Sequence, residues 1–444
     1  MKKPGMKIPA GTPLTVSLHW RAGDILPVGR LAMRDRRIYF QFDPAFLARP
    51  LPLSPFHLRP IDGVLGPFDT PFEGLPGLFA DSLPDGWGRL LVDRRARRLR
   101  VNLTPLDRLA IVGRHGIGAL VYEPATELAA GGGALDLDAL AADAAAILTG
   151  EAGEVLDRLI ALGGSPHGAR PKAMIGWSER TNGIIHGAED VPAGYRPMLV
   201  KFAAQNDAKD IGAVEYAYSL MARAAGLRLP RTHLFRGRRG AYFAAERFDR
   251  DESERLHAQT LSGLLHADHR LPALDYATVL AAAQRLTQDQ REVMVLFRLA
   301  AFNVAAHNRD DHAKQFSFLM DCGGAWRAAP AYDLTFSDGI NGEHTTTIDG
   351  EGSAPGDADL LRLARKAGLR KADAADAIAA VRDAVAKWPD WADEAGLTRA
   401  AAREIGQVIA PVTPRKLGKP PTKSAKRAKP AKRGAARRGK RSER

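Results

Sequence analysis

Alternating apolar and polar positions open the chain. In LTVSLHW (Leu14–Trp20) and RRIYFQFD (Arg36–Asp43) large side chains recur at every second residue, the period of a strand with one buried face. VGRLAMRDRRIYFQFDPAFL reads as two strands joined by a turn at Arg34–Asp35 and followed by a helix. DSLPDGWGRLLVDRRARRLRV reads as a turn and then a strongly basic amphipathic helix. TPLDRLAIVG starts another helix, with Thr104 as its N-cap.

The Gly/Ala-rich TELAAGGGALDLDALAADAAAIL is read as a connector containing an amphipathic helix. Strand-like segments follow in ARPKAMIGW, NGIIHG and RPMLVKFA. The helix VEYAYSLMARAAGL comes next, with a core face expected at Val214, Leu220, Met221 and Ala224. RTHLFRG and GAYFAAERFDR are again strand-like, and beyond about residue 255 the pattern is helical until Pro411 and Pro414 end it. The expected units are a small α+β unit at 14–125, a connector at 126–150, a strand-rich lobe at 151–250, an all-helical lobe at 251–412 and a tail at 413–444.

Charge changes the picture at one end only. Of 64 Lys/Arg and 51 Asp/Glu, the stretch Arg415–Arg444 holds 14 basic residues and the single acid Glu443. The whole formal charge of +13 therefore sits in a tail too poor in large apolar residues to fold, and the body is neutral. The tail could hold nucleic-acid phosphates in a salt-dependent way, or serve only as a solvated extension. A lone Cys322 excludes an internal disulfide framework and a cysteine zinc site. No run reaches the apolar length of a membrane span, and the first twenty residues lack the apolar stretch of a secretory signal. A cytoplasmic protein with no membrane partner is expected.

Several segments carry candidate chemistry. GGSPHGARPKA (Gly163–Ala173) has the glycines with which backbone approaches phosphate, but not the Walker A spacing. Lys201 sits in the apolar MLVKF, where an ammonium needs an anion unless it snorkels out at the strand end. Glu215 lies early in the next helix, and a strand Lys with a helix Glu is the ion pair that orients ATP phosphates in protein kinases. Glu246, Arg247 and Phe248 end an apolar strand where a hinge would run, its backbone groups free to bond a purine. In AFNVAAHNRDDHAKQFSFLMD, Asp310 is followed five residues later by Gln315, an amide at the offset of the kinase catalytic loop. Asp333 in APAYDLTFS stands where a metal-binding aspartate would sit, and two hard oxygen ligands suit Mg²⁺. Zinc held by His307 and His312 is the rival, disfavoured by their spacing of five and the lack of an evident third ligand.

Taken together, VGRL, LPGLFADSLPDGWGR, DRLAIVGRHGIGAL, GGSPHGARPKA, LVKF, ERFDR, HNRDDHAKQFSF and PAYDLTFSDGINGEH resemble the HipA family of serine/threonine kinase toxins from HipBA toxin–antitoxin modules, over about residues 14–410. The resemblance implies an α+β fold: a two-lobed kinase-like core preceded by a small N-terminal subdomain. It implies that Asp310 positions the substrate hydroxyl, that Asp333 and Gln315 hold Mg²⁺, and that Lys201 contacts ATP phosphates. It places His312, Lys314, Tyr332 and Arg247 on the ATP side, Glu246 and Phe248 at the adenine-side hinge, and His167, Gly168, Ala169, Arg170, Pro171 and Lys172 in the phosphate-side loop. Ser165 aligns with the serine this family autophosphorylates to shut itself off. The partners implied are a HipB-like helix-turn-helix antitoxin, operator DNA through that complex, and a translation-related substrate such as an aminoacyl-tRNA synthetase.

One position departs from the family, which usually has Asn where this chain has Gln315. Gln keeps the amide oxygen on a side chain one methylene longer, while Mg²⁺ demands near-ideal octahedral geometry. Either Gln315 still ligates and the enzyme is active, or the chain is a weak, degenerate kinase that acts mainly by binding antitoxin or nucleic acid.

Overall fold

The computed structural model describes residues 6–126, 133–150, 155–163, 168–187, 190–251 and 254–409. β1 (Leu14–Arg21), β2 (Asp24–Arg34) and β3 (Arg37–Phe42) form a meander that β4 (Val64–Leu65) and β5 (Leu120–Glu123) extend to an antiparallel sheet in the order β4-β3-β2-β1-β5. The β2–β3 turn lies at Asp35–Arg36, one residue beyond the expected Arg34–Asp35. Both residues have positive φ, 51° and 60°, as the two-residue hairpin turn with the strands' own twist requires. The register agrees, because Arg34 pairs with Arg37.

Four helices complete this unit: α1 (Pro44–Ala48), α2 (Gly77–Ala80), α3 (Gly86–Leu99) and α4 (Pro105–Val112). Thr104 caps α4 as expected, in a capping box with Asp107. The basic helix α3 buries Trp87, Leu91, Val92 and Ala96. Part of its charge is spent inside the fold, since Arg95 is buried against Asp157 at 2.9 Å and Arg94 donates to the Ile147 carbonyl. α5 (Leu137–Thr149), expected as part of a connector, instead packs with α3 and α6 (Val155–Gly163) in one apolar cluster.

That cluster covers a second antiparallel sheet of β6 (Lys172–Ser178), β7 (Gly183–His186), β8 (Arg196–Lys201), β9 (Thr232–Arg236) and β10 (Ala241–Glu246), in the order β7-β6-β8-β10-β9. β6 is buried at every position, which its apolar run without alternation already suggests. α7 (Ile211–Ala224) packs against β9 and β10 on one side and the helical lobe on the other. Its buried face is therefore wider than a single stripe, taking in Val214, Ala217, Tyr218 and Met221, while Leu220 is only half-buried and Ala224 is exposed.

The remaining chain holds β11 (Arg250–Asp251), β12 (Glu254–Arg255), β13 (His257–Thr260), α8 (Leu261–Leu265), β14 (Leu274–Asp275), α9 (Tyr276–Thr287), α10 (Gln290–Ala305), β15 (Ser317–Met320), β16 (Trp326–Ala328), β17 (Thr346–Thr347), α11 (Asp357–Lys366), α12 (Lys371–Ala386), α13 (Trp388–Ala395) and α14 (Arg399–Ile409). This lobe is helical in the main but not all-helical, because β13, β15 and β16 make a small antiparallel sheet beside the cleft. Strands of three or four residues are too short for their period to stand out from a helical pattern. One apolar cluster runs from Val16 and Phe40 of the first sheet through Phe79 to Tyr218, Phe297 and Phe302, so residues up to Ala410 form one compact unit. Among the described residues no helix is long and apolar enough to cross a membrane.

Candidate active site

A cavity of about 600 Å³ lies between the second sheet and the segment 310–337, the size of a small-ligand site. Lys201, at the end of β8, has its side chain only 10% exposed and finds the anions its position demands. Its Nζ lies 2.5 Å from Glu215 Oε2 and also pairs with Asp333. Burial works against the Lys201 charge, but Asp333 and Glu215 outweigh it and raise its pKa well above the ordinary lysine value. Burial likewise opposes ionisation of Asp333, and Lys201 and Lys172 reverse this, holding that carboxyl far below the usual range. Asp333 is itself in the left-handed region, with φ 56°, at the turn that aims it into the cavity.

Gln315 donates from Nε2 to Asp333 Oδ2 at 3.1 Å, so the longer amide already reaches its expected co-ligand. Asp310 faces the same cavity with its side chain 56% exposed, 3.8 Å from His312 Nε2. Partial burial and then repulsion from Asp333 raise its pKa, with His312 pulling the other way. His312 Nδ1 accepts from Lys314 N at 3.2 Å, which fixes the ring's other nitrogen toward Asp310. His307 turns elsewhere, to Asp338 at 3.0 Å and flat against Phe336. Among the described residues no group of three His, Cys, Asp or Glu could hold a metal ion.

Asp311, beside Asp310, has a different role. It is 0% exposed and accepts from Tyr276 Oη at 3.0 Å, His344 Nδ1 at 2.8 Å and Thr346 N at 3.1 Å. Asn303 donates to Tyr276 Oη at 2.8 Å and Asn308 to Asn303 at 2.9 Å. This buried network anchors the loop that presents Asp310 and explains half of the Asp–Asp pair without any ligand.

At the glycine-rich segment, Arg170 grips Asp207 (Nε–Oδ2 3.0 Å) and reaches Glu215 at 3.4 Å, so Glu215 serves both Arg170 and Lys201. Lys172 is buried in β6, which lowers its pKa to about 8. Gly168 has φ 102°, a backbone conformation that side-chain-bearing residues rarely adopt, which favours glycine there, and a Cβ would also press on the Lys172 ammonium. Ala169 lines the cavity, whereas Pro171 receives Phe202 N at 2.8 Å on its carbonyl and belongs to the strand entry. Ser165 and His167 lie outside the described residues, as does the basic tail.

At the opposite end, Phe248 packs near Tyr332 with ring centroids 5.5 Å apart. The Tyr332 hydroxyl meets Ser317 Oγ at 2.6 Å and donates to the Lys314 carbonyl. Glu246, Arg247 and Phe248, expected at a hinge, all line the cavity, and the backbone N–H groups of the first two are bonded within the protein. They donate to the carbonyls of Arg231 and Pro197, both at 2.8 Å, because the strand register continues through them. Glu246 pairs with Arg196 at 3.4 Å, and Arg247 is buried on Asp249 and the Gly116 carbonyl. Asp249, held ionised by Arg247 and Arg250 against its burial, also accepts from Gly118 N at 2.7 Å. The wall near the hinge is thus tied to the N-terminal unit.

Sequence reasoning missed Asp81 and Asp85, both lining the cavity from the N-terminal unit. Asp81 accepts from Thr260 N and Oγ1, each at 2.7 Å, and burial raises its pKa to about 6. The signal was two acids in DSLPDG, where a turn explains the composition equally well.

A family model described as HipA-like C-terminal domain matches residues 164–388, and one described as HipA N-terminal domain matches residues 23–123. The fold is similar to a chain in the complex of the Shewanella oneidensis MR-1 toxin–antitoxin system HipA, HipB and its operator DNA. The TM-score is 0.63 at 16% identity, covering 89% of this chain and 95% of that one. The Helicobacter pylori proinflammatory kinase CtkA matches at TM-score 0.34 and 12% identity over 48% of this chain and 85% of its own, too distant to carry an argument. No curated protein matches the chain.

Proposed function

The chain belongs to the HipA family, and from that premise we propose that it is an ATP-dependent serine/threonine protein kinase acting as the toxin of a toxin–antitoxin module. The observation that carries this reading is Lys201 held between Glu215 and Asp333 in one cavity with Asp310. A buried ammonium with two carboxylates is costly unless the site needs the charge, and a nucleotide's phosphates are the ligand that needs it. In transfer, the substrate hydroxyl oxygen bonds to the γ-phosphorus, the bond to the ADP oxygen breaks, and the hydroxyl proton passes to Asp310. The raised pKa of Asp310 suits it to take that proton.

Asp333 and the Gln315 amide oxygen offer hard oxygen donors that fit Mg²⁺, which is commonly held by one or two carboxylates with phosphate and water. The hydrogen bond of 3.1 Å from Gln315 Nε2 to Asp333 Oδ2 puts the longer amide beside its proposed co-ligand, which supports the active reading. When bound, the ion would neutralise phosphate charge. Lys172, Arg170 and Gly168 are the remaining phosphate-side groups, and Phe248 and Tyr332 offer aromatic surface for the base.

By analogy with the Shewanella complex, a HipB-like antitoxin and operator DNA are the partners, and the family resemblance suggests a translation-related protein such as an aminoacyl-tRNA synthetase as substrate. Ser165 is the proposed self-inactivation site, since a phosphate there adds nearly two negative charges next to the phosphate-side loop. Mass spectrometry of the protein expressed alone should find phosphate on Ser165 and none in Asp310→Asn. Phosphate persisting in that variant would mean another kinase placed it and would remove the self-modification claim.

A further inference from the structure

Asp85 occupies the N-cap of α3, yet its carboxylate makes no cap hydrogen bond to the helix. An aspartate there ordinarily accepts from its own first turn. Here Oδ1 accepts from Gly168 N at 2.7 Å, and Oδ2 pairs with the Lys314 ammonium, itself only 10% exposed. The following turn completes the grip, because Trp87 N donates to the Gly168 carbonyl at 3.0 Å. Both backbone polar groups of Gly168 are therefore held by the N-terminal unit. The approach is so close that a Cβ on Gly86, at φ 40°, would collide with the Gly168 carbonyl.

Gly168 and Lys314 belong to different segments, one to the glycine-rich loop and one to the loop after Asp310, and the Asp85 carboxylate joins the two. We propose that Asp85 is a positioning residue for the phosphate end of the nucleotide, acting through Gly168 and Lys314, so that the N-terminal unit is a working part of the site. The proposal rests on the nucleotide-binding reading given above. It differs from a purely structural role in one respect: it should affect phosphates and spare the nucleoside.

Calorimetric titration of the full chain with ATP–Mg²⁺ and with adenosine, for wild type, Asp85→Ala, Asp85→Asn, Lys314→Met and the Asp85→Ala/Lys314→Met pair, tests this. Asp85→Ala should weaken ATP binding about tenfold and leave adenosine within about twofold, and its effect should shrink in the Lys314→Met background. Asp85→Asn, which keeps an acceptor for Gly168, should fall between, and it carries the comparison if the alanine variant does not fold. Unchanged ATP affinity, tighter ATP binding, or equal losses for ATP and adenosine would each overturn the proposal. Wild type that binds neither ligand would overturn it together with the nucleotide reading. Wild type that binds ATP but transfers no more phosphate than Asp310→Asn would overturn the kinase reading alone, and the affinities would still decide the role of Asp85.

Discussion

Replacing Asp311 with alanine should destabilise the fold strongly, whereas replacing its neighbour Asp310 with asparagine should not. Asp311 is 0% exposed and its carboxylate is the acceptor for Tyr276, His344 and Thr346 N. A buried donor stripped of its acceptor costs about 1–3 kcal/mol, and three in one network, sharing some relaxation, come to about 3–5 kcal/mol. At a slope of about 3 kcal/mol per M, that lowers the urea midpoint by about 1 M or more. The Asp310 side chain is 56% exposed and its nearest ion-pair contact is His312 at 3.8 Å, so Asp310→Asn should stay within about 0.5 kcal/mol of wild type. Urea unfolding followed by fluorescence, with activity measured on the same samples, separates the two. Asp311→Ala as stable as wild type, or Asp310→Asn destabilised by a similar amount, would refute the division of the pair into one anchoring and one reacting aspartate.

Other expectations follow from the same geometry. Glu215→Gln removes the carboxylate shared by Lys201 and Arg170 and should slow phosphate transfer about 10- to 100-fold, read in steady-state kinetics. Lys172, with its pKa lowered to about 8, keeps its charge below that pH and loses it above, so KM for ATP should rise as pH passes about 8, and Lys172→Arg should flatten that limb. Deleting 413–444 removes the whole net charge of +13 and should weaken operator DNA or RNA binding by the complex in gel shifts while leaving ATP turnover unchanged.

Much of the site was legible because buried charge is demanding. Lys201 in an apolar strand had to meet an anion, and Glu215 and Asp333 are those anions. The spacing of Asp310 and Gln315 placed both at one cavity. Thr104 was legible as a cap because capping is local. What escaped depends on contacts between distant segments. Asp85 meets Lys314 across 229 positions, and nothing in DSLPDG announces that its carboxylate would leave its own helix. Likewise, only the sheet register shows that the N–H groups of Glu246 and Arg247 are bonded to the carbonyls of Arg231 and Pro197. Asp311 and Asp310 are the same residue type side by side, and only packing tells the buried one from the exposed one.

The most direct measurement is transfer of radiolabelled γ-phosphate from ATP by the purified full chain to itself and to the proteins of a cell lysate, with Mg²⁺ and with Mn²⁺, for wild type against Asp310→Asn. Labelled protein is expected with wild type in at least one metal, with no label in Asp310→Asn and loss of label on chelation. Wild type no faster than Asp310→Asn in both metals would contradict the kinase reading and leave the chain a kinase-shaped binding protein.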